Sequence, residues 1–143
     1  MLTDLQTAVI TMLAAKITNG YPAAVQPYTG AMRSPKELKK QIKNTPVVQV
    51  GVRSGSIKSD EVLGRSAHIN SFTINVYGFE SNKAGRKENV NSGLELAEWM
   101  IDALQGETVT ANNRTFALSK SLEVTIEDDS DPFIIIIDSE VKA

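Results

Sequence analysis

Apolar and polar positions alternate between two periods along this chain, and the changes of period mark its elements. Leu5, Val9, Met12, Leu13 and Ile17 recur at helical spacing and form one stripe, which predicts an opening helix packed by one face. Thr3 with Gln6 three residues later fits a capping box, and Asn19-Gly20 followed by Pro22 suits a left-handed stop. Residues 20–34 contain two prolines and two glycines without a sustained period, and read as a loop or short irregular strands. Ser34-Pro35-Lys36-Glu37 combines an N-cap, a first-turn proline and a capping-box acid. It predicts a short helix with Leu38 and Ile42 inward and Lys39, Lys40 and Lys43 outward, ending before Pro46.

The period then shortens to two. Val48, Val50 and Val52 share one face of a strand, and Val47, Gln49, Gly51 and Arg53 the other. A second strand over about His68 to Phe79 places Phe72, Ile74 and Val76 on one face and Thr73, Asn75, Tyr77 and Phe79 on the opposite one. The segment between them, residues 54–66, is rich in glycine, serine and charge and is long for a hairpin connection. Either the strands continue outward as an arm, or the segment is a loop; in both cases contact with a partner is its natural use.

A polar turn, SNKAGR, precedes the clearest helical pattern, Lys87 to Gln105, with Val90, Leu94, Ala97, Ile101 and Leu104 as the buried stripe and Gly106 as the stop. Trp99 and Met100 flank that stripe, and Glu88, Glu95, Glu98 and Asp102 face outward. Three strands follow: Thr108 to Ala111, Arg114 to Leu118 across an Asn112-Asn113 turn, and Lys120 to Glu127. The stretch Phe133 to Ile137 is apolar on both faces. It is either a buried central strand or a strand partly covered by a neighbouring subunit. The order of elements predicts an α+β fold of one domain, residues 1–143, with helices packed on one face of a largely antiparallel or mixed sheet.

The net charge of −2 hides a division along the chain. Residues 31–87 carry eleven basic against four acidic side chains, and residues 88–143 carry twelve acidic against three basic. Placed on different surfaces, these halves would let a positive face of one subunit meet a negative face of the next; the alternative is that they neutralise each other within the monomer. No apolar run approaches the roughly 20 residues of a membrane helix. The MLTDLQT start has neither a basic leader nor an apolar core, and cysteine is absent, so a soluble protein made in the cytoplasm is expected.

The residue types that carry chemistry are sparse. His68 is the one histidine, too few with no cysteine for a zinc site or a nucleophile and base pair. The glycines form neither phosphate-binding motif, so no nucleotide cofactor is expected. Asp128, Asp129 and Asp131 lack the spacing and distal glutamate of a calcium loop and read as a solvated turn. Glu123 and Glu127 share a strand face, without further support for a glycosidase pair. Lysines from Lys36 to Lys43 are suited to phosphates, but the pI of 5.4 and the acidic second half argue against specific nucleic-acid binding.

Read in order, the helix LTDLQTAVITMLAAKI, the Tyr28-Thr29-Gly30 loop, SPKELKKQIKNTPVVQVGV, the strand FTINVYGFE, the turn SNKAGRKENV and the helix LELAEWMIDALQGETV resemble the tail terminators of long-tailed bacteriophages, in particular those of Mu-like phages and prophages. The resemblance covers nearly the full chain and rests on order and spacing, with no single invariant motif. It implies a virion protein that forms a ring, commonly a homohexamer, capping the finished tail tube. Its partners would be further copies, the tube protein, the head-side neck proteins and, in a contractile tail, the sheath. Such a role needs no catalysis, cofactor, metal or membrane. A ring requires two different patches to meet. We assign contact candidates to the arm 54–66 and the turn 81–87, with Arg53, Lys58, Arg65, Lys83, Arg86 and Lys87 as their cations. Two alternatives stay open: another neck component, such as a tail-completion or head-closure protein, and a binding module with a pocket between helices and sheet around Tyr77, Phe79 and Trp99.

Overall fold

The computed structural model describes residues 2–28, 46–60, 68–80, 92–127 and 133–142, and has an α+β fold. The elements are α1 (Leu2–Ala14), β1 (Ala24–Pro27), β2 (Val47–Asp60), β3 (His68–Glu80), α2 (Ser92–Leu104), β4 (Thr108–Ala111), β5 (Arg114–Leu118), β6 (Glu123–Glu127) and β7 (Phe133–Lys142). The helix expected over residues 34–45 and the turns 81–87 and 128–131 lie outside the described residues.

The strands form one sheet in the order β1-β2-β3-β7-β5-β4, with β6 also paired to β7. β1 runs parallel to β2, and the other pairings are antiparallel. β7 is the centre. Along one edge it pairs with β3 over its whole length, and along the other it meets β6 and then β5. Both of its faces are covered: Ile135, Ile137 and Val141 are buried on one, and Ile134 on the other. Its run of isoleucines therefore belongs to a central strand, the first of the two readings its sequence allowed.

Both described helices lie on the same face of the sheet. Leu5, Val9 and Leu13 of α1 and Leu96, Ala97, Met100, Ala103 and Leu104 of α2 share a core with Val48, Val50, Ile74, Val76, Ile135 and Ile137. Burying each large aliphatic side chain contributes roughly 1.5–3 kcal/mol. α1 touches β1, β2 and β4, so strands from both ends of the sheet meet the same helix and the sheet curls around it. Gln6 Nε2 donates to the Val50 carbonyl at 2.8 Å, and Lys16 Nζ donates to the Ala103 carbonyl at 3.0 Å while pairing with Glu107 at 2.7 Å. The end of α1 is thus tied to the end of α2.

Several expectations are corrected by this packing. Thr3 lies inside α1, which begins at Leu2, so it is not the N-cap. Asn19 and Gly20 have φ of 55° and 71° and close a tight turn in which Thr18 and Tyr21 exchange backbone hydrogen bonds. They bend the chain rather than stop the helix, in the way Asn-Gly serves a hairpin. The buried stripe of α2 is rotated from the one its pattern suggested. Leu94 is 50% exposed and Ile101 half-buried, whereas Leu96 and Met100 are fully buried. The cause lies on β3: a Cβ on Gly78 would collide with Met100 Sδ and stand 3.3 Å from Leu96 Cδ2. The missing side chain lets α2 settle into the sheet on that side. Gly106, at φ 68°, ends α2 as expected. The last part of the helical sheet edge also differs: β6 starts at Glu123, and residues 119–122 interrupt the strand between β5 and β6. Gln105 Nε2 donates to the Lys120 carbonyl and the Gly106 N–H to the Ser119 carbonyl, which pins the interruption to the end of α2.

Because the phase of α2 is set by Gly78, truncation along the helix separates the two stripes. Leu96→Ala is expected to cost about 2–5 kcal/mol in urea unfolding, and Leu94→Ala to change stability by no more than about 0.5 kcal/mol. A larger loss for Leu94→Ala would contradict the observed phase.

Candidate assembly interface

The sheet face turned away from the helices is graded from apolar to acidic. Cross-strand register builds it in rows: Val47-Phe79-Ile134-Glu127, then Gln49-Tyr77-Ile136-Thr125, then Gly51-Asn75-Asp138-Glu123, then Arg53-Thr73-Glu140. The first rows are packed. Phe79 is fully buried with Ile134, and Tyr77 and Ile136 pack against them. Tyr28 stacks on Tyr77 at 4.4 Å between centroids, and Tyr77 stacks on Phe79 at 6.2 Å. The Tyr28 Cβ would stand 3.3 Å from a Cβ on Gly51, so the glycine leaves room for that ring. Val47 and Gln49, on the face opposite Val48 and Val50, are buried here as well.

The later rows carry charge. Glu123 stands directly opposite Asp138, an unfavourable like-charge pairing on adjacent strands. Asn75 Nδ2 donates to Asp138 Oδ1, which relieves one of the two. Glu140, in the next row, lies 3.6 Å from Lys142 Nζ. On the helix side, Glu95, Glu98 and Asp102 are exposed along α2.

Past the charged rows, in the same direction along the strands, β2 and β3 form a hairpin that continues beyond β7 among the described residues. Their pairing runs regularly from Val47↔Phe79 to Arg53↔Thr73, shifts register, and resumes at Lys58↔Ser71, Ser59↔Ile69 and Asp60↔His68. The β3–β7 pairing ends at Ser71↔Lys142, so among the described residues the last part of the hairpin is two-stranded. Arg53 and Lys58 flank the register shift at the base of the arm, in rows that still reach β7 through Thr73↔Glu140 and Ser71↔Lys142. Arg65, Lys83, Arg86 and Lys87 lie outside the described residues.

No protein-family model matches the chain, and no curated protein is significantly similar to it.

The pocket imagined around Tyr77, Phe79 and Trp99 does not form. Tyr77 and Phe79 are on the outer face, while Trp99 is among the helices, its Nε1 donating to the Lys16 carbonyl at 3.4 Å. A groove of about 600 Å³ lies elsewhere, between α1 and β4, lined by Asp4, Thr7, Thr11, Met12, Thr108 and Thr110 among others. Among the described residues no three His, Cys, Asp or Glu side chains are arranged to hold a metal, and no helix is long and apolar enough to cross a membrane.

The sequence reading missed the pairing of Glu123 with Asp138, because the partner of a strand is not visible in its own residues. The available signal was EVTIE itself, a short alternating strand with an acid at each end.

Among the described residues, one titratable group departs clearly from its usual behaviour. Burial, and then the charges of Glu80 and Glu95, push the Tyr21 phenol far above the ordinary tyrosine range. Its hydroxyl has no hydrogen-bond partner among the described residues. Since ionisation is easier in the unfolded chain, the stability linked to Tyr21 is complete below about pH 10 and declines as pH rises beyond it. Tyr21→Phe should remove that part of the alkaline decline. At pH 7 it should cost less than about 1 kcal/mol, because no hydrogen bond is lost. Urea midpoints at neutral and alkaline pH check both expectations.

Proposed function

We propose that this chain is a structural subunit of a phage tail, a terminator that assembles into a ring, commonly a hexamer, on the end of the tail tube and joins it to the head-side neck. The observation that carries this reading is the β2–β3 hairpin, which extends past β7 and has Arg53 and Lys58 at its base. Its counterpart is the edge strand β6 on the far side of β7, with Glu123 and Glu127 exposed. Two unlike patches of opposite sign are what a head-to-tail ring interface uses. The order of sequence elements that resembles Mu-like tail terminators points the same way, and a cytoplasmically made virion component accords with it.

In this role the core fixes the spacing between patches, and recognition comes from shape and charge at the rim. The tube end supplies the template. The reading is tested by adding the purified chain to growing tubes of a Mu-like tail-tube protein and viewing them by electron microscopy. A density at one end of each tube and a dose-dependent shortening are expected. Tubes of unchanged length with bare ends would overturn it.

A further inference from the structure

The curl of the sheet closes two of its edges. β4, at one end, lies against α1, with Asp4, Thr7 and Thr11 lining the groove beside Thr108 and Thr110. β1, at the other, is four residues long, also touches α1, and ends on Pro27, which has no N–H to offer. Further lengths of backbone have a strand on one side only among the described residues, the outer end of β3 included, and two of them are charged. One is β6, paired to β7 alone. The other is β2 beyond Val50, where the pairing with β1 stops and β3 is the remaining partner.

These two edges are opposite in charge. β6 is Glu-Val-Thr-Ile-Glu, its glutamates exposed and its Ile126 38% exposed. Glu123 already opposes Asp138, so a cation beside Glu123 would offset a repulsion built into the monomer. The open length of β2 bears Arg53 and Lys58 and, at its end, Asp60. Edge backbone with unsatisfied N–H and C=O groups is a template for strand addition, and long open edges are ordinarily blocked.

We infer that β6 of one copy is the dock for the β2–β3 arm of a second copy, edge against edge, with Lys58 of the arm set beside Glu123. This inference rests on the ring reading for its head-to-tail direction. Each copy offers one arm and one dock, the patches differ, and the contact repeats from subunit to subunit until the rotation closes. The sheet then continues from one copy into the next, and the register shift between Arg53 and Lys58 sets the bend at which the arm leaves its own sheet.

The chain has no cysteine, so the contact can be trapped with two introduced ones. In the full chain carrying Ser59→Cys and Thr125→Cys, the two thiols cannot meet within one molecule. β3 and β7 separate β2 from β6, a gap of about 14 Å, against the roughly 7 Å that a disulfide tolerates. Oxidation should give a ladder of covalent multimers on a non-reducing gel, whereas either single variant should stop at dimers. In parallel, Lys58→Glu or Glu123→Lys should each weaken self-association by about tenfold or more, and the two together should restore it. Glu123→Lys should leave the thermal midpoint of the monomer unchanged or higher, since it places a lysine opposite Asp138, which separates lost assembly from lost folding. Tube capping without a ladder would overturn the edge contact and leave the terminator reading standing. Neither capping nor a ladder would overturn both.

Discussion

The apolar stripe of α1 has to be covered on both flanks, and the sheet covers it by bending until strands from its two ends touch the one helix. Leu5, Val9 and Leu13 are fully buried by this arrangement, and Gln6 fastens the helix to the backbone of β2. The bend has a consequence for the edges. Those next to α1 are occupied, so unpaired backbone of the described sheet is found instead at β6 and along the outer lengths of β2 and β3. Core packing thereby decides where another chain can add, although none of the core residues would touch it.

The second constraint is β7. A strand buried on both faces must have strands along both edges, and β3 on one side with β5 and β6 on the other satisfy that need. The division of labour between β5 and β6 leaves β6 with one neighbour. The interruption at residues 119–122, fastened to the C-terminal end of α2 by Gln105 and Gly106, is what separates them. A continuous strand in that place would have set Glu123 in a different register from Asp138, and the acidic row would not exist in its present form.

Much of the fold was legible in the chain because the period of apolar positions reports burial directly. The alternation in Phe72 to Phe79 placed Ile74 and Val76 on one face and Tyr77 and Phe79 on the other, as found. The Asn112-Asn113 turn was equally plain, both residues having positive φ. The phase of α2 was not, because it depends on Gly78, a residue on another element whose lack of a side chain admits Met100 and Leu96. The same reason hid the Glu123–Asp138 pairing, which register creates and no local pattern encodes. Of the candidate contact cations, Arg53 and Lys58 fall at the base of the arm; Arg65, Lys83, Arg86 and Lys87 are outside the described residues. A charge division along a sequence becomes an interface only when the fold sets the halves apart. Here the exposed acids of β6 lie on one side of β7, and the arm rises from the strands on the other.

Sedimentation velocity of the unmodified chain, over a wide range of concentration and at low and high salt, addresses the central claim most directly. A ring subunit predicts a single closed species at an integer multiple of 15.5 kDa, present above a threshold concentration and weakened by salt, because charge holds unlike patches together. A 15.5 kDa monomer at every concentration and salt, also in the presence of tube protein, would contradict it.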